Sequence, residues 1–284
     1  MFLTFNTKLL LIFIMMITVL AVFLLFFFIK KKNSKKRKII KLIFLPLLLI
    51  FDLIIFSVFY VFDYYKADEI TSDYLGQSNH SQLDEDIDVK ITDDYILFDG
   101  KGEDTALIFY PGAKVESEAY APLLSYVASG MTDVYLLKTP MHLAILDIDQ
   151  ADKIDTSPYK HVYVAGHSMG GAVASIYASK NLDKLDGLIL LAAYPTKSLK
   201  KDGFRVLSIV GDKDGGYDKG KWESYDKNMP DDYHFIMING GNHANYAYYG
   251  DQEGDGKAEI PREEQVCTTC YYINKFLCHS PLEQ

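Results

Sequence analysis

The stretch Gly166-His167-Ser168-Met169-Gly170, a serine flanked by glycines, constrains the fold more than any other part of the chain. The apolar run 161–165 before it is typical of a buried strand, and the small and apolar residues 171–178 after it are typical of a helix. The serine is therefore predicted on a tight strand-to-helix turn, where bulkier residues at the glycine positions would clash. On such a turn Ser168 is exposed as a nucleophile, and the N–H of Met169 at the helix start can face a developing oxyanion.

Apolar runs and helical stretches alternate through the rest of the second half of the chain. Strands are predicted at 105–110, 134–137, 161–165, 188–193, 206–210 and 234–238, and helices at 117–128, 143–154, 169–181 and 261–277. Residues 95–98 predict an earlier strand that can be antiparallel. This alternation favours an α/β fold with a doubly wound, mostly parallel sheet and helices on both faces.

Candidate partners for the serine follow the last two predicted strands. Asp212 and Asp214 come after strand 206–210, and His243 lies in a glycine-rich turn after strand 234–238. His243 can take the proton of Ser168 only if a carboxylate orients its ring and stabilises the imidazolium. We predict Asp214 as that acid, because it fits a G-x-x-D pattern after the strand, and Asp212 as a turn residue.

The loop after strand 105–110 reads Tyr110-Pro111-Gly112-Ala113-Lys114. Gly112 allows close approach of the backbone, so the N–H of Ala113 is the predicted second oxyanion donor, beside that of Met169. Lys114 either adds positive potential at the mouth of the pocket or is an ordinary surface lysine. Residues that either line the pocket or belong to the core are Tyr120, Met141, His167 and Tyr194.

Taken together, these segments resemble the lidless bacterial α/β-hydrolases of the "family 5" type, which are distantly similar to dienelactone hydrolases. The resemblance covers residues 95–276 and is carried by 110–116, 119–123, 140–144, 166–171, 211–214, 240–244 and 249–251. It implies Ser168 as nucleophile, Asp214 as acid and His243 as base. True dienelactone hydrolases use a cysteine nucleophile, so Ser168 argues against that particular activity.

No cap domain is expected over the site. Only about a dozen residues separate strand 188–193 from strand 206–210. That is too few for the helical cap that many relatives insert there. The site is therefore predicted to be open and small.

The first 62 residues predict a transmembrane hairpin. The apolar stretches 9–29 and 42–62 are 21 residues each, which meets the roughly 20 residues that a spanning helix needs. The segment 30–41 between them carries eight Lys and Arg residues and no acid, so it is predicted to be cytoplasmic. A cleaved signal peptide is the alternative, but its charges would precede a shorter apolar core.

This topology puts the remaining chain on the extracytoplasmic side of the cell membrane, with an acidic stalk at 63–90 and the hydrolase domain at 91–284. Residues 63–284 have a formal charge of −17, against −9 for the whole chain, which argues against nucleic acid as a partner. No metal or cofactor is expected. In an oxidising exterior Cys267 and Cys270 are predicted to form a local disulfide and leave Cys278 free.

The sequence thus favours a membrane-anchored serine hydrolase that cleaves a small or exposed ester through an acyl-enzyme. A small molecule and ester groups on a larger surface polymer are both compatible with a capless site. Two alternatives stay open. One is a non-catalytic binding module of this fold on a membrane anchor, and the other is an acyltransferase, which shares the acyl-enzyme.

Overall fold

The computed structural model describes residues 63–76 and 87–282, with isolated positions among the first 62. The chain divides into two units, Met1–Tyr64 and Tyr65–Gln284. Most of the predicted spans 9–29 and 42–62, and all of the basic segment 30–41, lie outside the described residues. Within the part that is described, no helix combines the length and the hydropathy that a membrane span requires.

The second unit is built on one sheet. Its strands are β1 (Asp88–Ile91), β2 (Tyr95–Asp99), β3 (Thr105–Tyr110), β4 (Asp133–Leu137), β5 (His161–His167), β6 (Gly187–Leu191), β7 (Arg205–Gly211) and β8 (Asp232–Ile238). Across the described chain these eight strands lie in the order β1-β2-β4-β3-β5-β6-β7-β8. The pairs β1–β2 and β2–β4 are antiparallel and the others are parallel. The predicted mostly parallel sheet is confirmed.

Helices cover both faces of this sheet, which explains why the central strands are continuously apolar. The α-helices of the unit are α1 (Ala121–Ala128), α2 (Met169–Lys180), α3 (Lys219–Glu223) and α4 (Arg262–Leu277). Alternate residues of β3 enter opposite layers. Phe109 packs in the layer that contains α1 and α4, and Ile108 packs in the layer that contains α2.

The predicted helix at 143–154 is wrong. In its place lie short 3₁₀ turns at Pro140–His142, Ala144–Leu146 and Gln150–Lys153. The apolar spacing was real, because Ala144, Ala151 and Ile154 are buried. However, the hydroxyl of Tyr110 donates to the carbonyl oxygen of Ile148 at 2.8 Å. The same hydroxyl accepts the backbone N–H of Ala151 at 3.3 Å, and this N–H is therefore not available to Asp147 as it would be in a continuous helix.

The predicted stalk at 63–90 differs from the structure in its first part. Tyr65 exchanges backbone hydrogen bonds with the loop after β3, donating to Lys114 at 2.7 Å and accepting from Glu116 at 2.9 Å. Tyr74 and Leu75 are buried in the core beside α1. The apolar residues of this acidic segment therefore extend the hydrolase unit to Tyr65, well before residue 91.

The region expected to lack a cap contains neither helix nor strand. Residues 192–204 run directly from β6 to β7 as turns and irregular chain. The carboxyl ends of β5, β6, β7 and β8 therefore meet at one edge without an inserted domain between β6 and β7. In open parallel sheets, this edge is where ligands bind.

Candidate active site

Ser168 occupies a strained turn between β5 and α2. Its φ of 55° and ψ of −124° are rare for a residue other than glycine. The backbone N–H of Ser168 donates to the carbonyl oxygen of Leu191 at 2.9 Å, which fastens the turn to the end of β6. The strain is therefore held by the sheet, and it leaves the serine side chain partly exposed.

The glycines around this turn are sterically required, as the sequence predicted. A Cβ at Gly166 would lie 2.5 Å from the carbonyl carbon of Gly170. A Cβ at Gly170 would lie 2.2 Å from the carbonyl oxygen of Tyr110 and 2.3 Å from that of Pro111. Both distances fall well inside van der Waals contact, so the turn and the loop after β3 can approach this closely only with glycine.

Asp214 and His243 form a buried pair. Nδ1 of His243 lies 2.9 Å from Oδ2 of Asp214, and their side chains are 12% and 2% exposed. Since a carboxylate only accepts, Nδ1 carries the proton and Nε2 is left as the basic nitrogen. Asp212 points elsewhere, because its Oδ1 accepts the backbone N–H of Gly240 at 2.6 Å. The structure therefore places Asp214, and not Asp212, beside His243.

The fold brings His243 next to the residue that precedes the serine. The His243 and His167 rings pack with centroids 4.7 Å apart, and Nε2 of His167 donates to the carbonyl oxygen of His243 at 3.0 Å. Among the hydrogen bonds of the described residues, none joins the Ser168 hydroxyl to His243. Such bonds are often long in unliganded enzymes and tighten with substrate.

Two backbone N–H groups close in sequence to this region have no hydrogen-bond acceptor among the described residues. Gly112 donates to the Tyr120 hydroxyl at 3.0 Å, and Lys114 donates to the carbonyl oxygen of His142 at 2.7 Å. The N–H of Ala113, between them, donates to no described atom, and neither does that of Met169. Both belong to segments that touch at Gly170. Both N–H groups are therefore available to donate hydrogen bonds to an anionic oxygen.

The candidate pocket residues separate into two groups. Tyr120 and His167 are 0% and 1% exposed, so of the two alternatives they belong to the core and line no open surface. The hydrogen bond between the Tyr120 hydroxyl and Nδ1 of His167 at 2.7 Å satisfies polar atoms that burial removes from water. Met141 is 58% exposed, Lys114 is half-buried, and Tyr194 stacks on Tyr225 with ring centroids 4.2 Å apart.

Sequence reasoning missed Asp255, whose carboxylate fastens both loops that carry the acid and the base. Its Oδ1 accepts the backbone N–H of Gly215 at 3.0 Å and of His243 at 3.1 Å, and its Oδ2 accepts that of Ala244 at 2.8 Å. The only local signal was an aspartate between Gly254 and Gly256 in an irregular acidic segment. That pattern fits an ordinary turn residue as well as it fits a half-buried anchor of two loops.

The predicted disulfide between Cys267 and Cys270 is wrong, since the three cysteines are free. Both residues lie on α4, where Cys267 is exposed and Cys270 is buried. Residues three apart on a helix have Cβ atoms about 5–6 Å apart, whereas a disulfide needs about 3.5–4.5 Å. Across the described ranges, no cluster of three or more His, Cys, Asp or Glu side chains is arranged to hold a metal.

A mostly parallel sheet with a strained serine after β5, an aspartate after β7 and a histidine after β8 defines the class of an α/β-hydrolase. Residues 106–267 match the alpha/beta hydrolase family, and the chain belongs to that family. No curated protein matches the sequence.

Several solved structures are similar to this chain at low sequence identity. A laboratory-evolved variant of potato epoxide hydrolase is 10% identical with a TM-score of 0.50, over 68% of this chain and 99% of that one. Dienelactone hydrolase from Anabaena variabilis is 14% identical with a TM-score of 0.47, over 70% and 100%. Est1E from Butyrivibrio proteoclasticus, with ferulic acid bound, is 16% identical with a TM-score of 0.46, over 68% and 98%.

Proposed function

We propose that this protein is a serine hydrolase of the lidless family 5 type, which cleaves carboxylic esters through an acyl-enzyme on Ser168. The observation that carries the proposal is the buried His243–Asp214 pair, 2.9 Å apart, whose imidazole packs against the residue next to Ser168. A histidine in that position has an oriented ring and a free Nε2. These are the two properties that a general base for a serine needs.

In the proposed reaction, Oγ of Ser168 attacks the ester carbonyl carbon while Nε2 of His243 takes the hydroxyl proton. The carboxylate of Asp214 stabilises the imidazolium through Nδ1. His243 then returns the proton to the departing alkoxide as the C–O bond breaks, which leaves the acyl-enzyme. Water, deprotonated by the same histidine, attacks the acyl carbon and releases the acid and the serine.

The negative charge that develops on the carbonyl oxygen requires donors. The unpaired N–H groups of Ala113 and Met169 support this role, since they belong to touching segments on either side of Gly170. Backbone donors of this kind are preorganised, because the sheet fixes both the loop after β3 and the strand-to-helix turn at Gly166–Gly170 (the elbow). Each such donor contributes a factor of about 10²–10³ to kcat.

The substrate we propose is a small ester, or an ester group exposed on a larger surface polymer. The short irregular connection at 192–204 supports an open site. Met169, at 39% exposed, provides apolar surface directly after Ser168, and Met141, at 58% exposed, adjoins His142, whose carbonyl oxygen accepts from Lys114. Such a site admits an acyl group directly from solvent.

The proposal is tested by Ser168→Ala, with Ser179→Ala as the matched control on the same helix α2. Loss of the nucleophile should abolish labelling by a fluorophosphonate probe and lower kcat by about 10⁴–10⁶-fold. The hydroxyl of Ser179 donates only to the carbonyl oxygen of Ile176 within its own helix, so this variant should retain activity. Unchanged turnover of p-nitrophenyl esters by Ser168→Ala would overturn the proposal.

We also propose that residues 1–62 anchor the hydrolase to the cell membrane, with the catalytic unit on the extracytoplasmic side. The eight positive charges in 30–41, between two 21-residue apolar stretches, support this orientation. The test uses Ser34→Cys and Ser78→Cys in a chain whose native cysteines are replaced by serine. A membrane-impermeant thiol reagent should label the Ser78→Cys protein in intact cells and the Ser34→Cys protein only after permeabilisation. The reverse pattern would place the hydrolase in the cytoplasm.

A further inference from the structure

A series of buried hydrogen bonds runs beneath the turn that carries Ser168. It connects the loop after β3, residues 111–114 (the oxyanion loop), to the loop after β8 that carries His243. The backbone N–H of Gly112 donates to Oη of Tyr120 at 3.0 Å. Oη of Tyr120 lies 2.7 Å from Nδ1 of His167, and Nε2 of His167 lies 3.0 Å from the carbonyl oxygen of His243. The two linking side chains are 0% and 1% exposed. Each polar atom in this series is therefore paired inside the protein.

Only one arrangement of protons satisfies all of these contacts. The His243 carbonyl can only accept, so Nε2 of His167 must carry a proton. Burial, reinforced by the neighbouring His243, lowers the pKa of His167 well below its usual value, so the ring is neutral and Nδ1 is bare. The Tyr120 hydroxyl then donates to Nδ1 and accepts from Gly112. Burial also raises the pKa of Tyr120, which keeps that hydroxyl protonated.

Packing fixes the same groups in place. The His167 ring contacts the rings of His243, Tyr246 and Tyr120, with centroid distances of 4.7, 5.3 and 5.8 Å. A Cβ at Gly112 would lie 2.8 Å from Oη of Tyr120 and 3.0 Å from Nδ1 of His167. The absence of a side chain at Gly112 therefore lets the oxyanion loop reach the buried pair.

We propose that Tyr120 and His167 are positioning residues that set the oxyanion loop and His243 relative to one another around Ser168. This inference rests on the proposed function, since it assigns a task to the two residues only if Ser168 and His243 react. Neither touches substrate. They set the distances between Ser168, the oxyanion donors and Nε2 of His243. Catalysis requires these distances to be held within a fraction of an ångström.

Two substitutions of His167 each retain one half of the connection. His167→Gln places an amide nitrogen near the position of Nε2, so it can still donate to the His243 carbonyl. His167→Asn places an amide oxygen near the position of Nδ1, so it can accept from Tyr120 but cannot reach His243. Tyr120→Phe removes the middle of the series. Tyr177→Phe on helix α2 is the control. It removes a hydroxyl that donates to Oδ1 of Asp152 at 2.7 Å.

In the full-length protein we expect His167→Asn and Tyr120→Phe each to lower kcat by about 10–100-fold, the effect of one lost buried hydrogen bond on a reacting geometry. KM should change little, because neither residue contacts substrate. His167→Gln, which keeps the hydrogen bond to His243 but breaks the one to Tyr120, should lower kcat by a factor similar to that of Tyr120→Phe. Combining Tyr120→Phe with His167→Asn should cost less than the product of the two single losses, because both break the same connection. Tyr177→Phe should keep the parental kcat.

A second measurement does not depend on activity. Imidazole ¹⁵N resonances of the full-length protein at pH 7 should show a neutral His167 ring that is protonated at Nε2 and bare at Nδ1. A proton on Nδ1 would overturn the connection itself.

If the parent hydrolyses esters and the folded His167→Asn and Tyr120→Phe variants keep its kcat, the positioning role is refuted while the proposed hydrolase activity stands. If the parent takes up no fluorophosphonate and turns over no ester, the proposed function fails first.

Discussion

Oδ2 of Asp214 accepts a hydrogen bond from Nδ1 of His243 at 2.9 Å. The Asp214 side chain is 2% exposed, so water is almost wholly excluded from it. Its other oxygen, Oδ1, accepts the backbone N–H of Gly216 at 2.7 Å. The carboxylate is thus held from both sides, and its orientation toward the histidine is fixed by backbone as well as by burial. This relationship distinguishes Asp214 from Asp212, two residues away.

Asp214→Asn should therefore be severe and Asp212→Asn mild. An amide in place of the Asp214 carboxylate cannot stabilise the imidazolium and favours the wrong tautomer, so kcat should fall by about 10⁴-fold. Asp212 caps a turn through Gly240 and pairs with Lys213, and its amide should keep kcat within about 10-fold. Steady-state kinetics on the two purified variants decide the assignment, and a reversal of the two effects would refute it.

Gly170→Ala should lower both the stability of the protein and its labelling by the fluorophosphonate probe. The added methyl group would lie 2.2 Å from the carbonyl oxygen of Tyr110, and overpacking of this kind costs about 1–3 kcal/mol. For a unit of this size we expect Tm to fall by about 5–10 °C. Gly220→Ala is the matched control, since that glycine also lies in a helix and its Cβ would meet only the Asp218 carboxylate at 3.6 Å. Equal Tm values for the two variants would show that the elbow has room to adapt.

Asp255→Asn should weaken catalysis from outside the reacting groups. The carboxylate accepts backbone N–H groups of Gly215, His243 and Ala244. An asparagine keeps the shape but offers one oxygen and no charge, so we expect kcat to fall by about 10–100-fold and Tm to drop. Asp251→Asn, an exposed position on the same segment, should leave both unchanged. If Asp255→Asn matches Asp251→Asn, the two loops are held by other contacts.

The cysteines should react in an order set by burial. Burial raises the pKa of Cys270 to about 12, so at pH 8 it is protonated and shielded, and its thiolate forms only as pH approaches that value. Without reductant, brief alkylation of the native protein at pH 8 should add two groups, at Cys267 and Cys278, and alkylation in denaturant should add three. A single adduct in denaturant would show that two of the thiols are bridged in the cell.

The strand–turn–helix around Ser168 was predictable because its determinants are local. A strand buried on both faces must be a continuous apolar run, and a turn this tight excludes side chains at Gly166 and Gly170. The order of serine, aspartate and histidine was equally visible, since each follows an apolar run. The membrane hairpin at 1–62 and the catalytic roles of Ser168, Asp214 and His243 stay predictions that the experiments above address.

The sequence by itself therefore determined the sheet, the turn around Ser168 and the chain order of Ser168, Asp214 and His243, because periodicity and steric exclusion act between near neighbours in the chain. Tertiary structure decided which residues support them. The sequence leaves Tyr120 and His167 open between pocket and core, does not single out Asp255, and predicts a helix at 143–154 that the fold lacks. Each of these depends on a partner 11 to 76 residues away in sequence. Hydrogen bonds over such separations impose no pattern on the local sequence, so only the folded chain reveals them.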